Sequence, residues 1–140
     1  MRYLLDTCVI SELVAKQPDA KVVEWIDSLD ADAVYLSVIM IGEIEKGIER
    51  LPQSRRKTQL RTWLEKELLG RFEGRVVPLD VDALRTWGRL TADLEARGAT
   101  LPAIDTLLAA SALHGDFILA TRNEADFSAT GVRLHNPWHR

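Results

Sequence analysis

Four acidic residues stand where the ends of secondary-structure elements should meet. Asp6 closes a short apolar run, Leu4-Leu5. Glu43 falls in the first turns of the helix expected after Val34-Tyr35-Leu36. Asp105 lies in the first turn of a helix opened by Pro102, between Ile104 and Leu107-Leu108. Asp126 follows Thr121-Arg122-Asn123, which in turn follow the apolar run Phe117-Ile118-Leu119-Ala120. Carboxylates crowded together repel one another unless a cation neutralises them. An all-oxygen set suits Mg²⁺ or Mn²⁺, and Mg²⁺ usually meets phosphate oxygens as well. The expected chemistry is metal-dependent hydrolysis of a phosphodiester by metal-activated water.

Each acid also has an ordinary reading. Asp6 could cap the next helix, Glu43 could be a partly solvated helix residue, and Asp126 could be a turn residue. Asp105 could answer the positive end of its helix. A carboxylate among apolar neighbours needs a partner, however, and no cation adjoins it in the sequence. What favours the functional reading is convergence, and that depends on the elements.

Strands are expected at Leu4-Leu5, Val34-Tyr35-Leu36, 75–79, 117–120 and 132–134, from their apolar and β-branched content. Between them, helices are expected over 11–15, 19–29, 38–51, 53–69, 81–97 and 102–114, with one helical turn at 124–127. Ile41, Ile44, Ile48 and Leu51 recur at helical spacing. Asp19 and Asp80 are placed as N-caps, and Gly98 and Gly115 as C-terminal stops. Alternating strands and helices predict an α/β fold of three layers, with a mostly parallel sheet of four to five strands. Ligands in such sheets gather beyond the carboxyl ends of the strands. The four acids should therefore share one edge.

The 140 residues fit a single domain spanning 1–140, with 46% hydrophobic and 28% charged residues. Eighteen Lys and Arg against 21 Asp and Glu give a net charge of −3, which argues against coating nucleic acid by bulk charge. One cysteine, Cys8, excludes a disulfide framework and any multi-Cys metal site, and the reducing cytoplasm is the default location. No apolar stretch approaches the roughly 20 residues a bilayer span needs. The three histidines lack metal-ligand spacing.

Bases concentrate between residues 46 and 61: Lys46, Arg50, Arg55, Arg56, Lys57 and Arg61, against the single acid Glu49. Those on the helix after residue 53 are expected to point largely outward, as a solvated face or a guide for nucleic acid. Lys46 and Arg50 follow Glu43 by three and seven residues, on the same helix face. With Arg122 they are the candidate contacts to a nucleic-acid backbone. Trp25 and Trp63 are expected in the core, or at interfaces if exposed.

The ordered set Leu4-Leu5-Asp6-Thr7-Cys8-Val9-Ile10-Ser11-Glu12, Ile41-Gly42-Glu43-Ile44, Pro102-Ala103-Ile104-Asp105 and Ala120-Thr121-Arg122-Asn123 resembles the PIN-domain ribonucleases. The similarity is to the VapC-type, FitB-like toxins of type II toxin–antitoxin systems, and extends to the ending Asn136-Pro137-Trp138-His139. It implies a PIN fold and an endoribonuclease acting on single-stranded RNA. Asp6, Glu43 and Asp105 match acids that hold Mg²⁺ or Mn²⁺, while Thr7, Ser11 and Thr121 match supporting hydroxyl residues. Asn123 stands where FitB-like members often carry a fourth acid, and Asp126 is the substitute candidate. The resemblance further implies a homodimer and a cognate antitoxin forming a hetero-oligomer. A non-catalytic PIN-like module that binds RNA or protein is the alternative. A haloacid-dehalogenase-like phosphatase fits less well, because Cys8 occupies the place of its second Asp.

Overall fold

Five short strands build the centre of the molecule: β1 (Tyr3–Leu5), β2 (Val34–Ser37), β3 (Val76–Val77), β4 (Ile118–Ala120) and β5 (Leu134–His135). The computed structural model describes residues 1–139. All neighbouring strands run parallel, in the order β3-β2-β1-β4-β5. Leu4, Leu5, Leu119 and Ala120 are fully buried. That is why β1 and β4 read as unbroken apolar runs rather than alternating ones. The chain moves outward from β1 through β2 to β3, then returns to place β4 on the other side of β1. Strand order thus reverses between β1 and β4, and such a switch point opens a crevice at the strands' carboxyl ends.

The connecting helices are α1 (Thr7–Glu12), α2 (Ala20–Asp27), α3 (Val38–Glu49), α4 (Arg55–Thr62), α5 (Leu69–Arg71), α6 (Val81–Ala96), α7 (Ala103–Gly115) and α8 (Glu124–Phe127). Contacts join α1 to α2 and α3, and α3 to α4. A second group joins α6 to α7 and α7 to α8. Right-handed crossovers in opposite directions from β1 require this division into two outer layers. Asp19 caps α2 by accepting from the N–H groups of Lys21 and Val22. Asp80 caps α6 by accepting from that of Ala83 at 2.8 Å. Gly98 follows α6 with φ +72°, the left-handed conformation that favours glycine.

Several sequence expectations shift. Helix α1 begins at Thr7, not near Ser11, because Asp6 itself is its cap and accepts from the Thr7 N–H at 2.8 Å. β3 has two residues, and β5 falls later than 132–134. Gly115 remains inside α7, and Asp116 takes the left-handed turn at φ 57°. The need for glycine at 115 is steric: a Cβ there would run into the Phe117 ring.

The expected helix over 53–69 is also divided. Ser54 caps α4 by accepting from the Lys57 N–H, and a π-helical stretch, Trp63–Leu68, separates α4 from α5. Lys57 is not outward. It is buried, and its Nζ donates to the carbonyls of Glu49 at 3.3 Å and Leu51 at 3.2 Å. A cation thus satisfies orphan carbonyls where α3 ends. Lys57→Met keeps the apolar stem and removes the donors. It should destabilise the fold by about 1–2 kcal/mol in urea unfolding. An unchanged midpoint would show that water replaces the ammonium without cost.

Trp25 is a core residue, 3% exposed, stacked on His135 with centroids 4.7 Å apart. Trp63 is half-buried against the core.

Candidate active site

The site forms where β1 and β4 end. Asp6 continues β1, and its N–H donates to the Ala120 carbonyl at 3.0 Å. Thr121 continues β4 and donates its N–H to the His135 carbonyl at 3.0 Å. Sheet pairing therefore sets these two residues side by side. The Thr121 hydroxyl, on a fully buried residue, donates to Asp6 Oδ2 at 2.8 Å. The Thr121 hydroxyl oxygen in turn accepts the Asn123 N–H at 3.0 Å. The other carboxylate oxygen, Oδ1, accepts from the Thr7 N–H at 2.8 Å and more loosely from the Thr7 hydroxyl at 3.5 Å. Asp6 is 8% exposed, and its buried carboxylate oxygens are met by these donors rather than left unpaired.

Asp105 enters from the first turn of α7 and is half-buried. Its carboxyl is pushed above the usual carboxylate range, first by burial and then by the charges of Asp6, Asp126 and Glu43. None of the charges acting on it is basic. The four acids named from the sequence therefore share one electrostatic neighbourhood. Glu43 comes from α3, whose start Ser37 caps by accepting the Ile39 N–H at 3.1 Å. Asp126 comes from the exposed turn α8.

The donors are carboxylate oxygens, which match Mg²⁺ or Mn²⁺ in hardness. Among the described residues, no three His, Cys, Asp or Glu side chains converge into a ligating group. An ion bound through one or two carboxylates and its own waters asks for no closer approach. By donor type Asp6, Glu43 and Asp105 are therefore the candidate metal holders, one or two reaching an ion directly and the rest through its waters, and the Asp126 charge also acts on Asp105. Asn123 is exposed, and its main-chain N–H, not its amide side chain, serves the network.

Cys8 lies within this network. Its Sγ stands 3.8 Å from the Thr121 hydroxyl and accepts the Arg122 N–H at 3.5 Å. Burial pushes its thiol up, and the Asp6 charge adds to that. It is a neutral packing group behind the acids, as its residue type suggests. Thr7, Ser11 and Glu43 border a groove of about 240 Å³ whose far wall includes Ile44, Leu60 and Trp63. Ser11 is exposed there.

The basic run between residues 46 and 61 does not form one free cationic surface. Arg61 pairs with Glu49 at 2.5 Å and Glu45 at 3.3 Å, which holds the Glu49 carboxyl below its usual range. Arg56 donates to the Val14 carbonyl, and Lys57 is internal. Lys46, Arg50 and Arg55 are exposed without an ion pair among the described residues.

Sequence reasoning placed the acids but gave no role to the ending Asn136-Pro137-Trp138-His139. The Asn136 Nδ2 donates to the Arg122 carbonyl at 3.4 Å and to Glu124 Oε2 at 3.1 Å. The Arg122 guanidinium lies 4.3 Å above the Trp138 ring centroid. The chain's end thus braces the loop after β4. The sequence offers only the run Asn136-Pro137-Trp138 as a signal, and the burial of these residues belongs to the fold.

Known proteins resemble this chain along nearly its whole length. The PIN domain family matches residues 3–132. A VapC ribonuclease of Sinorhizobium fredii is 38% identical over 135 residues, covering 96% of each chain. Toxin FitB of Neisseria gonorrhoeae is 37% identical over 136 residues, covering 97% of this chain and 98% of its own. A crystal structure of FitAcB from the same organism superposes with a TM-score of 0.93 at 36% identity, covering 99% of each chain. The topological switch point, the acids around it and these likenesses agree: the chain belongs to the PIN-domain family, among its VapC- and FitB-like members.

Proposed function

We infer that this chain is the toxin of a type II toxin–antitoxin pair and an endoribonuclease that hydrolyses single-stranded RNA with Mg²⁺ or Mn²⁺. One observation carries the reading: at the switch point the charges of Asp6, Asp126 and Glu43 all act on Asp105, and no basic charge is among those that do. A protein spends stability on such repulsion where function needs the charge. Relatives named as a VapC ribonuclease and as toxin FitB support the assignment.

Asp6, Glu43 and Asp105 would hold the ion. When bound, it would neutralise charge on the scissile phosphate and acidify water. The chain's own part is positional. Thr7 and Thr121 fix the Asp6 carboxylate, and β-sheet pairing fixes Thr121. Asp126, whose charge reaches Asp105, takes the fourth place in preference to the uncharged Asn123. Lys46 and Arg50 on α3 and its end are the exposed bases closest in sequence to Glu43.

The partner is a cognate antitoxin, as the FitAcB structure and a solved FitAB complex bound to a DNA fragment suggest. The toxin itself is taken to be a homodimer within that hetero-oligomer, acting in the cytoplasm. Among the described residues, no helix is long and apolar enough to cross a membrane.

The deciding experiment is cleavage of a single-stranded RNA by purified protein, with and without Mn²⁺. Parent, Asp6→Ala, Asp126→Ala and Asn123→Ala proteins are compared. The parent should cut only with the ion, and Asp6→Ala should be inert. Asp126→Ala should lose roughly ten- to hundredfold, the range for residues that support a metal site. Asn123→Ala should lose much less. A parent that binds RNA without cutting it, with Mn²⁺ present, would establish the non-catalytic alternative.

A further inference from the structure

We propose that Trp138 and Asn136 preset Arg122 as a phosphate clamp for the RNA backbone beside the acidic site. The proposal rests on the ribonuclease reading above and adds two positioning residues to it.

Arg122 is held at three points. Its N–H donates to Cys8 Sγ at 3.5 Å, its carbonyl accepts from Asn136 Nδ2 at 3.4 Å, and its guanidinium lies 4.3 Å above the Trp138 ring centroid. Asn136 is locked in turn, because its Oδ1 accepts the Trp138 N–H at 2.9 Å. Trp138 is 9% exposed and cannot swing away without opening the core. The acid nearest Arg122 in sequence, Glu124, is already engaged. Its Oε2 accepts from Asn136 at 3.1 Å and faces His139 Nδ1 at 3.6 Å. Among the described residues no carboxylate pairs with Arg122, which remains exposed.

A guanidinium held over an aromatic ring by cation–π attraction keeps N–H donors for an oxyanion. Ordering it beforehand lowers the entropy lost on binding. The neighbouring residue, Thr121, donates to Asp6. A backbone phosphate taken by Arg122 therefore lies at the sheet edge where β1 and β4 end, one residue along the chain from Thr121. The stacking ring explains why an arginine, and not a lysine, suits this position.

The test measures binding of a fluorescently labelled single-stranded RNA to the full chain in EDTA, by anisotropy, alongside cleavage kinetics with Mn²⁺. Arg122→Ala, Arg122→Lys and Trp138→Leu should each weaken binding by roughly three- to tenfold. They should raise KM by a similar factor and leave kcat within about twofold. Trp138→Phe should bind within about twofold of the parent, since Phe still offers a face. The indole Nε1–H finds no acceptor among the described residues, so that change loses no hydrogen bond. Trp138→Leu combined with Arg122→Ala should be no weaker than Arg122→Ala alone. The Arg122 Nε–H proton resonance should lose its ring-current shift in Trp138→Leu.

Arg122→Lys stays informative if Trp138→Leu fails to fold, because residue 122 is exposed. A folded Trp138→Leu or an Arg122→Lys that binds RNA like a cleaving parent would overturn this proposal alone. A parent that neither binds nor cleaves RNA would remove the ribonuclease reading and the clamp with it. Normal RNA binding with weakened capture of the antitoxin would overturn the clamp in favour of a protein contact.

Discussion

Asp105→Asn is expected to cut RNA cleavage by about a thousandfold and, in the metal-free protein, to raise the melting temperature. The loss reflects several kcal/mol of transition-state charge stabilisation that depends on the ion, at about 1.4 kcal/mol per tenfold. The gain has a different source. Burial and the charges of Asp6, Asp126 and Glu43 all oppose ionisation of Asp105, and its carboxyl titrates above the ordinary range. The folded state therefore binds this proton more readily than the unfolded state. The resulting cost is absent below the ordinary carboxylate pKa, where both states are protonated. It grows as pH rises through the interval up to the raised value, and is complete above it. Asn removes that cost, so the stabilisation should be larger at neutral pH than near pH 3, where it should vanish. The gain should be modest, because water and salt screen charges on a partly solvated carboxyl. Thermal melts in EDTA at both pH values measure it. A variant that melts no higher than the parent at pH 7 would mean the four charges are not in conflict. A variant that cleaves normally would dismiss Asp105 from the reaction.

Thr121→Val is the second large effect. Valine fills nearly the same space but removes the hydroxyl that donates to Asp6 Oδ2 at 2.8 Å and accepts from the Asn123 N–H at 3.0 Å. Position 121 is fully buried, so water cannot take over. Leaving such partners unpaired costs about 1–3 kcal/mol. Losing a group that orients a metal-holding carboxylate typically costs ten- to hundredfold in metal affinity or activity. Mn²⁺ titration calorimetry and cleavage rates should both register that loss, and Thr121→Ser should restore most of it. Equal Mn²⁺ affinity in Thr121→Val and the parent would show that Asp6 needs no orienting hydroxyl.

These expectations show how much of the site could be read early. Asp6, Glu43 and Asp105 were legible because each sits at a strand end or in the first turns of a helix, and parallel topology sends all such places to one edge. Asp19 and Asp80 were legible as caps because a cap is a local hydrogen bond. Lys57 was misread as outward, since helical spacing alone does not reveal that α3 ends against it. The six bases between residues 46 and 61 looked like one patch, yet Arg61 turns to Glu45 and Glu49, sixteen and twelve residues away. The start of α1 was missed because Asp6 serves as both cap and proposed ligand.

Periodicity, caps and apolar runs are properties of neighbours along the chain, and they sufficed for the α/β class, the parallel sheet and the acidic edge. Strand order is not such a property. Only the folded chain places β4 beside β1, which brings the Thr121 hydroxyl to Asp6 across 115 positions of sequence. Only the folded chain lays Trp138 beneath Arg122. These contacts depend on long-range sheet pairing and on burial of the C-terminal ending, and neither leaves a periodic mark in the sequence.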